Sequence, residues 1–207
     1  MVVRRPWLAN RLAWWLIFFA QLAPLIYLGW AIPTHQLGYE PVVDSLRFLG
    51  DTALYLLLIG LAITPLQRLL PRAGLIDYRR MVGLYAFFYA SLHVLVWVAV
   101  DRQLDLAAIW EDVLEREHIT FGVIAFLLLT PLAITSTRGW MRRLGRRWKQ
   151  LHRLVYPIAA LVVLHYFLSV KFDTRTPIVL GIVLLSLFLA RPLTRWWIEQ
   201  RRRPRAD

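Results

Sequence analysis

Apolar residues fall in long blocks along this chain rather than in the alternating runs of half-buried strands, and polar residues collect in the gaps. An α-helix needs about 20 residues to cross roughly 30 Å of hydrocarbon. Six blocks approach that length: about 12–32, 52–70, 81–100, 119–137, 152–170 and 177–197. The last contains Arg191 and Arg195 and spans only if both snorkel to the interface. Backbone polar groups in lipid must be satisfied within the segment, so the pattern predicts an all-α fold: a six-helix transmembrane bundle forming one domain over residues 1–207. The first block is too long for the core of a signal peptide, and no small-residue cleavage site follows WAIPTHQ, so it reads as a retained span. Pro65 and Pro131 are expected to kink the second and fourth spans, since each removes a backbone donor and crowds the preceding turn.

Charge orients the bundle. The formal net charge of +12 could signal nucleic acid, but the basic residues sit beside span ends. Arg4, Arg5 and Arg11 precede the first span, Arg68, Arg72, Arg79 and Arg80 flank the second connection, and seven cations from Arg138 to Arg153 crowd the fourth. The tail reads RRRPR. The first, third and fifth connections are acidic or balanced: Glu40, Asp44 and Asp51; then Asp101, Asp105, Glu111, Asp112, Glu115 and Glu117; then Lys171, Asp173 and Arg175. This alternation predicts that both termini are cytoplasmic and the partner is a lipid bilayer, not nucleic acid.

The candidate chemistry is histidine. An unpaired imidazole in hydrocarbon costs several kcal/mol, on the order of any unsatisfied polar group, so buried membrane histidines are functional candidates. His93 lies twelve residues into the third span and His165 thirteen residues beyond His152 in LHRLVYPIAALVVLHY, each roughly 18–20 Å deep at 1.5 Å per residue. Two imidazoles at matched depth on different helices suit the axial ligands of a b-type haem; the alternative is a pair of satisfied core histidines. Ala86 and Ala90, on the face of His93, leave room for a flat macrocycle or simply for close helix packing. With no cysteine, thiolate-ligated haem, covalent haem attachment and iron–sulfur clusters are excluded.

His152 is harder to place. Thirteen residues rotate a helix by roughly 220°, so His152 and His165 share no face unless Pro157 rephases the helix. His152 could ligate a second haem, for which the third span at that level offers only Arg79, Arg80 or Met81, or contact a quinone or flavin, or simply lie at the interface. His35 and His118 read as solvated. The basic stretch TRGWMRRLGRRWKQLHR exceeds what topology requires and suits haem propionates, a flavin phosphate, anionic lipid or an acidic reductase. Without a G-x-G-x-x-G fingerprint or space for a nicotinamide domain, electrons must come from elsewhere. The two Thr-Pro-Leu and Leu-Ala-Ile-Thr runs of the second and fourth spans are too short to establish a repeat.

The runs LGDTALYLLLIGLAITPLQR, RRMVGLYAFFYASLHVLVW, LTPLAITSTRGWMRRLGRRWKQLHRLVY and LHYFLSVK, above all the LGxxWxxLHxLVY segment, resemble the MsrQ family. Its members are haem-binding membrane subunits of the periplasmic methionine sulfoxide reductase system, within the ferric-reductase-like transmembrane group. The resemblance covers about Trp7 to Arg195 and implies six spans in the bacterial inner membrane and b-type haem, one or two per chain. It also implies flavin mononucleotide (FMN), electrons from the quinone pool or a cytosolic flavin reductase, and delivery to a periplasmic molybdenum-cofactor catalytic subunit, MsrP-like, that repairs oxidised methionine in proteins. The family's haem histidines fall on His93, His152 and His165; oxidase relatives carry two histidine pairs, whereas the third span here has one histidine. The chain is then an electron-transfer subunit with no methionine sulfoxide reductase active site of its own. The competing readings are a stand-alone quinol-linked cytochrome or metal reductase, and a non-redox transporter or scaffold. No carboxylate is expected mid-span, which weighs weakly against the transporter.

Overall fold

The computed structural model describes residues 7–70, 74–170 and 172–202. Arg4, Arg5, Arg72, Lys171 and the end of the RRRPR tail, all used above for topology, lie outside the described residues. Every regular element described is helical, and six stretches are long and apolar enough to cross a membrane: Arg11–Ala31, Pro41–Leu69, Leu75–Asp101, Glu117–Ile134, Arg146–Ser169 and Arg175–Gln200.

The first span is two helices, α1 (Trp7–Ala20) and α2 (Ala23–Ala31), rather than the single helix expected. Pro24 explains the break, because a proline fits the first turn of a new helix, where no backbone donor is needed. The Gln21 carbonyl at the break accepts a 2.6 Å hydrogen bond from the hydroxyl of fully buried Tyr89, which ties the break to the third span.

The second span is α3 (Pro41–Leu69), which starts eleven residues before the expected position of residue 52. Pro41 begins it and Asp44 lies in its first turn, where a carboxylate complements the helix dipole. Asp51 is therefore inside a spanning helix and not in the connection, a correction to the expectation of carboxylate-free spans. The chain turns at Gly74 (φ 64°) into a 3₁₀ turn, Leu75–Tyr78, and then α4 (Arg79–Val96), which closes in a wide π-helical turn, Trp97–Asp101. A short helix, α5 (Leu106–Glu115), precedes α6 (Glu117–Ile134). Helices α3 and α6 run through Pro65 and Pro131.

The basic connection folds into α7 (Arg138–Leu144) and α8 (Arg146–Leu151), hinged at Gly145 (φ 49°), whose left-handed backbone favours glycine. A 3₁₀ turn, His152–Leu154, leads into α9 (Val155–Ser169), and α10 (Arg175–Arg202) completes the bundle. The helical path between His152 and His165 is interrupted by that 3₁₀ turn rather than at Pro157, which sits in the first turn of α9, where no donor is needed.

Helix α3 packs along α4, α6 along α9, and α10 against α3 and α9. The core joins Leu54, Leu57, Leu58 and Leu61 of α3 to Ala86, Leu129, Leu132, Ile158 and Ala159. Outward-facing Leu127, Ile182 and Leu185 are more than half exposed, as a lipid-facing surface requires.

Arg191 departs from the snorkelling expected of it. Its guanidinium turns into the bundle: Nη2 donates 3.0 Å to the Leu61 carbonyl, Nη1 donates to the Tyr156 hydroxyl, and the group lies 4.6 Å over the Tyr156 ring. It joins α10 to α3 and α9 at one stroke. A charged hydrogen bond of this kind contributes about 1.5–3 kcal/mol, so Arg191→Ala is expected to lower the thermal unfolding midpoint of the purified protein measurably, whereas Arg191→Lys recovers only part of the loss because one ammonium cannot serve both acceptors and the ring.

Candidate functional site

Two cavities open inside the bundle. One, of about 420 Å³, lies at the acidic end between α3, α4, α6 and α9; the other, of about 500 Å³, lies at the basic end. Leu57 and Leu129 border both, so the cavities adjoin.

The acidic-end cavity contains His93 and His165, with ring centroids 6.2 Å apart and planes crossed at 84°. Each ring is fixed by the same device. Nδ1 of His93 donates 2.9 Å to the Leu46 carbonyl, and Nδ1 of His165 donates 2.5 Å to the His118 carbonyl; both partners lie 47 residues earlier. A carbonyl can only accept, so Nδ1 carries the proton in both rings and Nε2 is left as the basic nitrogen.

Four residues beyond each accepting carbonyl stands a glycine against the same ring. A Cβ on Gly50 would lie 3.2 Å from His93 Nδ1, and one on Gly122 would lie 2.9 Å from His165 Nδ1. The α3–α4 and α6–α9 pairs thus present a histidine in one repeated way, at positions other than the short sequence repeat.

Two imidazoles on opposite sides of one metal, each bonded at about 2 Å with its centroid roughly 1.2 Å behind the nitrogen, would have centroids roughly 6.4 Å apart. The observed 6.2 Å fits. Among the described residues no three His, Cys, Asp or Glu side chains converge as a metal-binding group. Ala86 and Ala90 do line this cavity, as their position beside His93 suggested.

Charge sits at the cavity rim. Arg47, Arg102 and Arg116 line it, and buried Asp112 of α5 pairs with Arg102 and, at 3.1 Å, with Arg116. Guanidinium forks match carboxylates such as haem propionates. Asp51 also lines the cavity, near Tyr166. His118 is a correction: it lines the cavity, with its ring 6.1 Å from that of His165, and is not the solvated residue expected. It lies in the first turn of α6, and its carbonyl accepts the His165 bond with its second lone pair. His35, in contrast, is exposed in the turn after α2.

The basic-end cavity contains His152, Arg79, Arg80, Lys149 and Arg153, and among the described residues no carboxylate lines it. The indole of Trp148 stacks on His152 at 4.0 Å and donates 2.9 Å to the Thr135 carbonyl. Nε2 of His152 lies 3.1 Å from Thr135 Oγ1, whose own hydrogen goes to the Pro131 carbonyl at 2.6 Å. His152 is therefore the donor, and its Nε2 is engaged. The structure brings His93 and His165 together and keeps His152 in a separate cavity.

Sequence reasoning missed Gly50, Gly122, Asp51 and Asp112. The only signal for the glycines is the matched spacing of Gly50 to His93 and Gly122 to His165, which carries meaning once the rings are known to touch them.

The chain is similar to known proteins. Residues 49–163 match the family described as ferric reductase like transmembrane component. The chain is 47% identical over 185 residues to the protein-methionine-sulfoxide reductase heme-binding subunit MsrQ of Caulobacter vibrioides, covering 89% of this chain and 88% of that one. It is 49% identical over 168 residues to the MsrQ of Xanthomonas axonopodis pv. citri, covering 78% and 77%. The chain belongs to the MsrQ family, within the ferric-reductase-like transmembrane proteins.

Proposed function

We propose that this chain is a b-type haem electron-transfer subunit, with His93 and His165 as the axial ligands of one haem. The observation that supports this most is the facing pair of imidazoles, each locked through Nδ1 onto a backbone carbonyl and each keeping a basic Nε2. Haem in such a site supplies one-electron exchange; the protein supplies position, insulation and charge. Leu46 and His118 orient the rings, Gly50 and Gly122 let them seat, apolar Leu54, Leu57 and Leu129 exclude water, and Arg47, Arg102 and Arg116 suit the propionates.

The acidic end is the outer, periplasmic side and both termini are cytoplasmic, in the inner membrane of a bacterium, which is the orientation the basic connections favour. Electrons enter at the inner cavity from the quinone pool or a cytosolic flavin reductase. They leave to a periplasmic molybdenum-cofactor methionine sulfoxide reductase that repairs oxidised proteins. At the inner cavity His152 contacts a quinone or FMN, or ligates a second haem after releasing Thr135; four cations and a stacked Trp148 suit a flat anionic group.

The test is a dithionite-reduced minus oxidised spectrum of the purified protein, with haem per chain quantified by pyridine haemochrome. A low-spin b-type signal at about one haem per chain is expected for the His93–His165 site, and about two if the inner cavity also binds haem. A folded preparation that takes up no haem even after supplementation overturns the reading.

A further inference from the structure

Helix α5 has a role that neither cavity accounts for. It connects Asp101, the end of the third span, to Glu117, the start of the fourth, so both its ends are tied to the same face of the membrane. Gln103 and Leu104, both at positive φ, reverse the chain before it, and Asp105 caps it by accepting from the backbone of Ala107 and Ala108. Its roll is fixed. Asp112 is buried between Arg102 and Arg116, and Thr120 Oγ1 donates to the Val113 carbonyl at 2.5 Å.

With the roll fixed, successive residues are placed at about 100° intervals. Asp112 faces the cavity rim, and half-buried Ile109 and Val113 follow it toward the bundle. Leu106, Trp110 and Leu114, spaced i, i+4 and i+8, come next and are 79%, 65% and 67% exposed. Glu111 and Glu115 occupy the sector beyond and are exposed as well.

We propose that α5 is an interfacial helix seated in the outer-leaflet headgroup boundary, with Leu106, Trp110 and Leu114 in contact with lipid. The exposed apolar arc continues a lipid-facing surface: Leu95 and Val100 on the third span and Leu104 in the turn are each more than half exposed. Its sectors occur in the order a helix lying in the membrane plane needs, bundle, then lipid, then water, with a tryptophan on the lipid sector, where an amphipathic ring is favoured. A soluble partner would meet the water sector, which here carries Glu111 and Glu115. Because Asp112 belongs to the same helix, lipid seating holds Arg102 and Arg116 in register at the cavity mouth; that consequence rests on the proposed haem site, while the seating does not.

The chain has no native cysteine, so single cysteines report without background. L106C, W110C, L114C, E111C and E115C would each be introduced into the full chain and reconstituted in phospholipid nanodiscs open on both faces. Folding is checked by circular dichroism and monodispersity. The rate of mixed-disulfide formation with a charged methanethiosulfonate reagent, which the thiolate attacks in water with release of methanesulfinate, is then read by mass spectrometry. Modification at 106, 110 and 114 is expected to be at least about tenfold slower than at 111 and 115. Fewer than two of the three apolar positions slowed, whether or not a soluble partner later protects them, overturns the proposal. No step uses haem, so failure here is distinct from failure of the proposed function.

Discussion

His93→Ala and His165→Ala are each expected to yield folded protein without the low-spin haem signal of the outer cavity, while His152→Ala retains it. His93 and His165 are the imidazoles that would hold a haem iron there, and an iron losing either would lose one of its protein ligands. The substituted ring also abandons a carbonyl, Leu46 in one case and His118 in the other. That carbonyl keeps its bond within its own helix, so only the imidazole's hydrogen bond is lost, about 0.5–1.5 kcal/mol, and a modest loss of stability should accompany the loss of haem. His152 lies in the other cavity, hydrogen-bonded to Thr135, so its removal should alter donor-linked reduction and any second haem while the outer signal persists. Full haem retention in either of the first two variants would disprove the pair.

The second large effect is expected from Gly122→Ala. A Cβ there would lie 2.9 Å from Nδ1 and 3.0 Å from Cε1 of His165, closer than real Cβ contacts, and the ring cannot retreat without giving up its 2.5 Å bond to the His118 carbonyl. An ordinary helix would gain from this substitution by up to about 1 kcal/mol of propensity, so reduced haem retention would come from the ring contact and not from the helix. We expect at least a tenfold weaker haem retention on dilution, on the order of 1.4 kcal/mol or more. At Gly50 the corresponding approach is 3.2–3.3 Å, so Gly50→Ala should have the same sign and a smaller size. Gly29→Ala is the control, since nothing lies within 4 Å of its Cβ position and it lines neither cavity. Equal haem titration curves for all three variants would show that the rings do not depend on the glycines.

The spans and the histidine pair were legible for one reason: hydrocarbon penalises polar groups so heavily that their positions stand out against an apolar background. The same contrast misled where polarity was tolerated for a local reason. Asp51 looked like loop because it is a carboxylate, yet α3 begins at Pro41 and carries Asp51 to the cavity beside Tyr166. Arg191 looked like a snorkelling residue because its acceptors, the Leu61 carbonyl and Tyr156 hydroxyl, belong to helices distant in sequence. Gly50 and Gly122 carried no signal, since the absence of a side chain acquires meaning only when something presses against it. The register of His152 depended on a 3₁₀ turn of three residues, below the length at which periodicity speaks. For Asp112, the acidic third connection hid a buried carboxylate among exposed ones.

The repeated presentation of His93 and His165 also has a mechanical side. Each ring is bolted to its own helical hairpin, α3 with α4 and α6 with α9, so a group ligated by both would act as a rivet through the two hairpins. Occupancy would then stabilise the assembled bundle in proportion to the logarithm of free ligand over its dissociation constant. Any movement prising the hairpins apart would stretch both axial bonds together, so the iron would register the spacing of the helices as a change in its own potential.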